Sequence, residues 1–321
     1  MAILGRWIGV ARECLNRWLG ILKHMRLPFT LAPNLLCFEH DGVANNSDTK
    51  GGGFMAHNDL ILTKLEAGVL WLTLNNPANR NALSSIMIGS LTSALDAAYQ
   101  DDSVRVIVIT GAGPVFSAGH DLKELDQQAA NADGEAKQKV TNILENCAAM
   151  MTGITQAPKP VIACVQGTAS AAGCQLVSAC DLAVADSSAM FCTPGVNIGV
   201  FCTTPLVGIG RNVSRKHAME MALTGDMFSA EEAVRFGLIN RHVETEALMA
   251  QTQELASKIA QRSAQSIRDG KAAFYAQIEM SLSDAFKHAN TIMCDAVTTT
   301  SDAEEGRAAF FEKRKPVWTK N

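Results

Sequence analysis

The sequence predicts an α/β layer fold with a helical appendix, and three observations carry that prediction. From about residue 60, short runs rich in β-branched residues alternate with segments of helical apolar spacing. The stretch Gly167–Asp181 reads as strand, small-residue turn and helix. Residues 244–312 read as almost wholly helical.

The N-terminus is a different kind of sequence. In residues 1–27 apolar groups recur at Trp7, Ala11, Cys14, Trp18, Leu22 and Met25, with Arg6, Arg12, Arg17 and Lys23 elsewhere on the wheel. Residues 1–38 hold five Lys/Arg and one acid, whereas the remainder holds 23 of the 28 basic and 31 of the 32 acidic groups. A basic, acid-poor amphipathic start is the physical form of a mitochondrial targeting segment, expected over 1–40. Charges interrupt every window of about 20 residues there, so stable membrane insertion is not expected. Residues 41–58 are polar and Gly-rich without a period, and read as a linker to a domain spanning 59–321.

Leu60–Leu65 and Val69–Leu74 read as strands around a Glu-Ala-Gly turn. Ser84–Tyr99 reads as a helix with Ser84 as N-cap. Val104–Thr110 and Pro160–Val165 are buried strands, and Lys137–Gly153 is a long helix. The Ala171–Ala179 helix and the short strand Leu182–Ala185 follow. Ser229-Ala-Glu-Glu232 is a capping box for a helix that stops at Gly237.

With 47% hydrophobic and 19% charged residues, the chain can bury a sizeable core. A net charge of −4 offers no general reason to expect nucleic acid as a partner. The nine cysteines include no C-x-x-C pair; an odd, scattered set in apolar surroundings points to reduced thiols, and no metal centre is expected.

Val106-Ile-Val-Ile-Thr-Gly-Ala-Gly113 fails as a dinucleotide turn, because Phe116 stands where the third Gly is needed. Two other small-residue turns are more informative: Phe116-Ser-Ala-Gly-His-Asp-Leu-Lys-Glu124 and Ala171-Ala-Gly-Cys-Gln-Leu176. They read either as ordinary tight packing or as two turns whose backbone N–H groups face one point, as an oxyanion hole requires.

These turns do not stand alone. They join Leu74-Asn-Asn-Pro77 with Asn81-Ala-Leu83, Lys159–Gly167, Gly173–Asp181, Gly225 to Gly237 and Phe311-Glu-Lys-Arg-Lys-Pro316. Together the segments resemble the crotonase (enoyl-CoA hydratase/isomerase) family from about residue 59 to 321. The resemblance implies a crotonase-like fold of repeated ββα units, about 59–245, and a helical trimerisation region, 246–321, that builds homotrimers or hexamers. It implies an acyl-CoA thioester as ligand, with coenzyme A part of the substrate and no separate cofactor. Its carbonyl oxygen would take N–H bonds from Ala118 and Ala172. Arg80, Asn81, Ala82 and Leu83 would lie along the coenzyme, and Gly119, His120 and Asp121 beside the substrate.

The resemblance also implies two glutamates, which activate and deliver water across a double bond. At those positions this chain has Gln175 and Gly195. Gln175 reads either as a water-orienting group or as a locally bonded helix residue. Loss of both acid–base groups is worth about 10²–10⁴-fold or more in rate. The expected function is therefore an acyl-CoA-binding protein of mitochondrial fatty-acid metabolism with little hydratase activity. The alternatives are isomerisation, decarboxylation or hydrolysis using the oxyanion hole, and a non-catalytic interaction protein. Restoring both carboxylates is expected to raise hydration if the backbone geometry is intact. Asp181 reads as a structural hydrogen-bond partner, Glu124 as a surface helix residue, and Cys192 and Cys202 as flanking thiols without an activating base.

Overall fold

The computed structural model describes residues 60–130 and 134–319; the expected targeting segment and linker lie outside them. The first described elements form a hairpin. β1 (Ile61–Glu66) and β2 (Val69–Leu74) pair antiparallel across Ala67–Gly68. Both turn residues take positive φ, 49° and 81°, as a two-residue turn between right-twisted strands demands.

β2 then pairs parallel with β3 (Val106–Gly111), β3 with β5 (Val161–Val165), β5 with β7 (Leu182–Asp186), and β7 with β10 (Arg241–Val243). Every residue of β3 and β5 is buried, as expected of parallel strands covered on both faces. One face carries Leu72, Leu74, Ile107 and Ile109 against Met87, Leu91 and Leu95 of α1 (Ser85–Gln100). The other carries Val69, Trp71, Val106 and Ile162 against Leu248 and Ala256 of α8 (Thr245–Ala260). Trp71 Nε1 donates to Gln253 Oε1 of α8 at 2.7 Å, so its indole is buried without losing its polar bond. Each fully buried Leu or Ile contributes about 1.5–3 kcal/mol, so the two faces together dominate the fold's stability.

A second sheet positions the site. β4 (Val115–Ser117), β6 (Thr168–Ser170) and β8 (Met190–Cys192) run parallel, and β9 (Phe228–Ser229) pairs antiparallel with β8. β3–β4, β5–β6 and β7–β8 therefore each send a first strand to the large sheet and a second to the small one. Helices follow each pair: α2 (Leu122–Ala130) and α3 (Gly134–Gln156), then α4 (Ala172–Ala179), then α5 (Thr203–Asn212) and α6 (Arg215–Thr224). This is the repeated ββα arrangement. The second strands, Val115–Ser117, Thr168–Ser170 and Met190–Cys192, are only three residues long, too short to carry a readable period.

α7 (Ala230–Phe236) has the expected capping box: Ser229 Oγ accepts from Glu232 N–H, the Glu232 carboxylate accepts from Ser229 N–H, and Gly237 ends the helix at φ 88°. The C-terminal region is α8, α9 (Ala264–Gln277), α10 (Leu282–Thr299) and α11 (Ser301–Glu312). The helical expectation for 244–312 is met, with three short breaks.

Candidate active site

Three loops leave the C-terminal ends of adjacent strands of the small sheet. β4 leads to Ala118–Asp121, β6 to Ala171–Ala172, and β8 to Thr193–Gly195. Strand ends of this kind are where open parallel sheets present their ligand sites. The two turns singled out in the sequence are thus brought into contact. A Cβ on Gly119 would lie 3.0 Å from the Ala172 nitrogen, and one on Gly173 would lie 2.3 Å from the Ser117 oxygen. Only glycine permits that approach, and Gly119 also needs its φ of 87°.

Ala172 opens α4 and is fully buried. As the first helical residue its N–H has no intrahelical acceptor, and the helix dipole favours negative charge beside it. The preceding Ala171 takes φ 48° and ψ −115°, a conformation costing a non-glycine residue of order 1–3 kcal/mol. It is held there by Ala171 N–H to Cys192 O (2.9 Å) and Gln175 N–H to Ala171 O (3.0 Å).

The other expected donor is engaged. Ala118 N–H donates to the Arg80 carbonyl at 3.0 Å, from a turn in which Arg80 and Asn81 both sit at φ 52°. A ligand oxygen at Ala118 must share that N–H or displace the carbonyl. The neighbouring Leu83 N–H bonds Gly119 O at 2.7 Å, pinning the Asn81–Leu83 segment to the donor turn.

Several expected ligand contacts have structural partners. Asn81 is fully buried; its Nδ2 donates to Ala112 O and Val115 O, and its Oδ1 accepts from Asn76 N–H. Ala82 and Leu83 are buried, whereas Arg80 is exposed. Asp121 Oδ2 accepts from Asn79 Nδ2 at 2.7 Å, and Oδ1 from the N–H groups of Lys123 and Glu124 at the start of α2. Asp121 therefore caps a helix. His120 is half-buried, with Nε2 lacking a partner among the described residues; desolvation pulls its pKa below the usual value, against a smaller opposite effect of Glu124. Glu124 lies on α2 at the surface, as read, and in addition reaches across to α1, accepting from Ser85 N–H at 2.8 Å and from the Ser85 hydroxyl.

The carboxylate positions hold no acid. Gln175 is buried with Oε1 unpartnered among the described residues, and its backbone carbonyl accepts from Ser178 Oγ. Gly195 donates its N–H to Cys202 Sγ at 3.3 Å and accepts from Val200 N–H at 2.9 Å. Burial raises the thiol pKa values of Cys192 and Cys202, and of Cys174 beneath them, so none is a ready nucleophile. Among the described residues no group of three or more His, Cys, Asp or Glu side chains is placed to hold a metal ion.

Asp181 is structural, as read. It accepts from Val161 N–H (2.8 Å), Lys271 Nζ (2.7 Å) and Tyr275 OH (3.0 Å). Sequence reasoning missed Thr193, fully buried beside the site with its hydroxyl unpartnered among the described residues. Its place directly before Pro194, in the loop already in view, was the available signal.

Residues 64–321 match the family model for enoyl-CoA hydratase/isomerase. The chain is 41% identical over 278 residues to rat enoyl-CoA hydratase domain-containing protein 3, mitochondrial, covering 87% of this chain and 90% of that one. Among solved structures, the human enoyl-CoA hydratase domain-containing protein 3 superposes with TM-score 0.76 at 41% identity, over 81% of this chain and all of that one. An enoyl-CoA hydratase from Mycobacterium smegmatis does so with TM-score 0.76 at 43% identity, over 81% and 98%. With the ββα repeats and the two facing turns, these similarities establish that the chain belongs to the enoyl-CoA hydratase/isomerase family.

Proposed function

We propose that this protein binds acyl-CoA thioesters in mitochondrial fatty-acid metabolism and hydrates enoyl-CoA poorly. One observation carries the reading: the three loops meet around the N-terminus of α4, yet their acid–base positions are Gln175 and Gly195. The Ala172 N–H and the dipole behind it suit a thioester oxygen that gains negative charge. A neutral amide and a bare backbone cannot take a proton from water. The only carboxylate in these loops, Asp121, is occupied in capping α2.

Calorimetry with butyryl-CoA and with free CoA tests the binding. The acyl thioester is expected to bind more tightly, and equal or absent binding of both overturns the proposal. Hydration of crotonyl-CoA is expected at least about 10²-fold below that of a two-glutamate homologue. A rate equal to the homologue's would mean that other residues supply the acid and base.

The mitochondrial assignment draws on relatives named as mitochondrial, such as the rat protein, and on the basic amphipathic residues 1–27. Residues 1–58 fused to a fluorescent reporter are expected to direct it into mitochondria; a uniformly cytosolic signal would contradict this.

A further inference from the structure

We propose that the cavity at the N-terminal ends of β3 and β5 binds a small tetrahedral oxyanion of the phosphate class, independently of the acyl-CoA site. The cavity measures about 110 Å³. Its walls include Tyr99 of α1 and Asp102 just after it, Arg105 and Lys159 from the two strand entries, and Ile267 and Arg268 of α9. The candidate active site lies instead past the C-terminal ends of the small-sheet strands, so the two sites are built from different loops.

Strand register brings two of the cations together. β3 and β5 run parallel with Ile107 opposite Val161, and Ile107 N–H donates to Pro160 O at 2.9 Å. Two residues earlier, the same register sets Arg105 opposite Lys159, one strand spacing of about 4.8 Å away. Like charges in that relation repel. Their hydrogen bonds go to neutral oxygens and leave the charges in place. Lys159 Nζ donates to the carbonyls of Ala98, at 2.7 Å, and Asp101, and an Arg105 amino group donates to the Arg262 carbonyl at 2.7 Å. Burial disfavours the charged form of Lys159, Asp101 and Asp102 favour it, and Arg105 opposes it. Pro158 and Pro160 flank Lys159 and stiffen the backbone that presents it.

Most of the surrounding acids are committed elsewhere. Asp101 accepts from the Ser103 N–H and hydroxyl, and Asp269 from Arg268 Nε. Asp302, which also acts on Arg105, accepts from the Thr319 N–H and hydroxyl. The cavity walls thus set Arg105, Lys159 and Arg268 against Asp102. That excess of positive charge selects an anion. The volume admits an ion of a few heavy atoms and excludes a nucleotide. A tetrahedral dianion can turn an oxygen toward each of three segments at once, and a guanidinium fork matches its geometry. A planar monocarboxylate offers less charge and fewer directions.

The test is calorimetry of the purified full chain at fixed ionic strength with inorganic phosphate, glycerol 3-phosphate and acetate, each alone and with excess CoA. Phosphate is expected to bind saturably, with a dissociation constant on the order of 1 mM, about tenfold more tightly than acetate, and equally well with CoA present. Saturable binding of glycerol 3-phosphate as well supports the site and identifies a phosphomonoester as its ligand class; binding of phosphate alone supports it and identifies the free ion. Arg105→Gln should weaken phosphate binding about tenfold. Arg268 and Asp102 are exposed, so their variants test the charge balance without disturbing the core. Arg268→Gln should weaken binding severalfold, and Asp102→Asn should tighten it. Phosphate binding no tighter than that of acetate overturns the site. So does an affinity unmoved by both Arg268→Gln and Asp102→Asn. Displacement of phosphate by CoA also overturns it, because the ion would then occupy the coenzyme's place.

Discussion

At position 195 the missing side chain is enforced by the backbone around it. A Cβ there would lie 2.4 Å from the Val200 carbonyl oxygen and 2.8 Å from Cys202 Sγ. The Gly195–Val200 hydrogen bond closes the loop on itself, so a side chain must break it open. Overpacking of this kind costs about 1–3 kcal/mol, and Gly195→Glu is expected to lower stability by that amount in urea unfolding. The geometry also revises the expectation that Gln175→Glu with Gly195→Glu raises hydration. With the loop as it stands, a carboxylate cannot be seated at 195, and the double variant is expected to remain within about tenfold of the parent rate. Hydration approaching that of a two-glutamate homologue would show that the loop yields readily.

At the scale of elements, the junction between the sheet and the C-terminal helices depends on one buried cluster. Asp181 ends the α4–β7 connection, and Lys271 and Tyr275 come from α9. Lys271 Nζ also donates to the carbonyls of Ile154 and Lys159, so it ties three segments together. Its side chain is 7% exposed and that of Asp181 16%. Removing one partner strands the other charge out of water. Asp181→Ala is therefore expected to destabilise the protein by about 3 kcal/mol, measured by urea denaturation, and Lys271→Met by less, since the methionine fills the same space. A loss below about 1 kcal/mol for Asp181→Ala would mean that Lys271 reaches solvent.

At the scale of the molecule, the C-terminal helices leave apolar surface unpartnered. Leu282 is 77% exposed, Phe286 63%, and the adjacent Phe310 and Phe311 77% and 78%. Ala285 is the one buried residue of α10. Such a concentration of exposed aromatic and aliphatic groups calls for a partner surface. Together with the family resemblance it supports self-association, proposed as a trimer. Light scattering at micromolar concentration is expected to give about three times the 34.3 kDa chain mass. A monomeric mass would refute it. No described helix is long and apolar enough to cross a membrane.

The fold class and most of the long elements were legible in the sequence. Ser84 and Ser229 announce helix starts through local bonds to the next turn, and β3 and β5 announce burial through unbroken apolar runs. These signals depend on neighbours within a few residues. The two turns of the candidate site, and the absence of both carboxylates, were also legible, since they are matters of residue identity. The second sheet was not: β4, β6 and β8 are strands only because of one another, and a run of three residues is too short to show a period. That sheet decides what the site is made of. It places Thr193 beside Ala171 and joins Gly119 to Ala172, while the same loops give the Ala118 N–H to Arg80 and close the Gly195 loop on Val200. Sequence alone determined which groups this protein has to offer; the tertiary structure decided which are already bonded and which are left for a ligand, because hydrogen-bond satisfaction depends on neighbours that are distant along the chain.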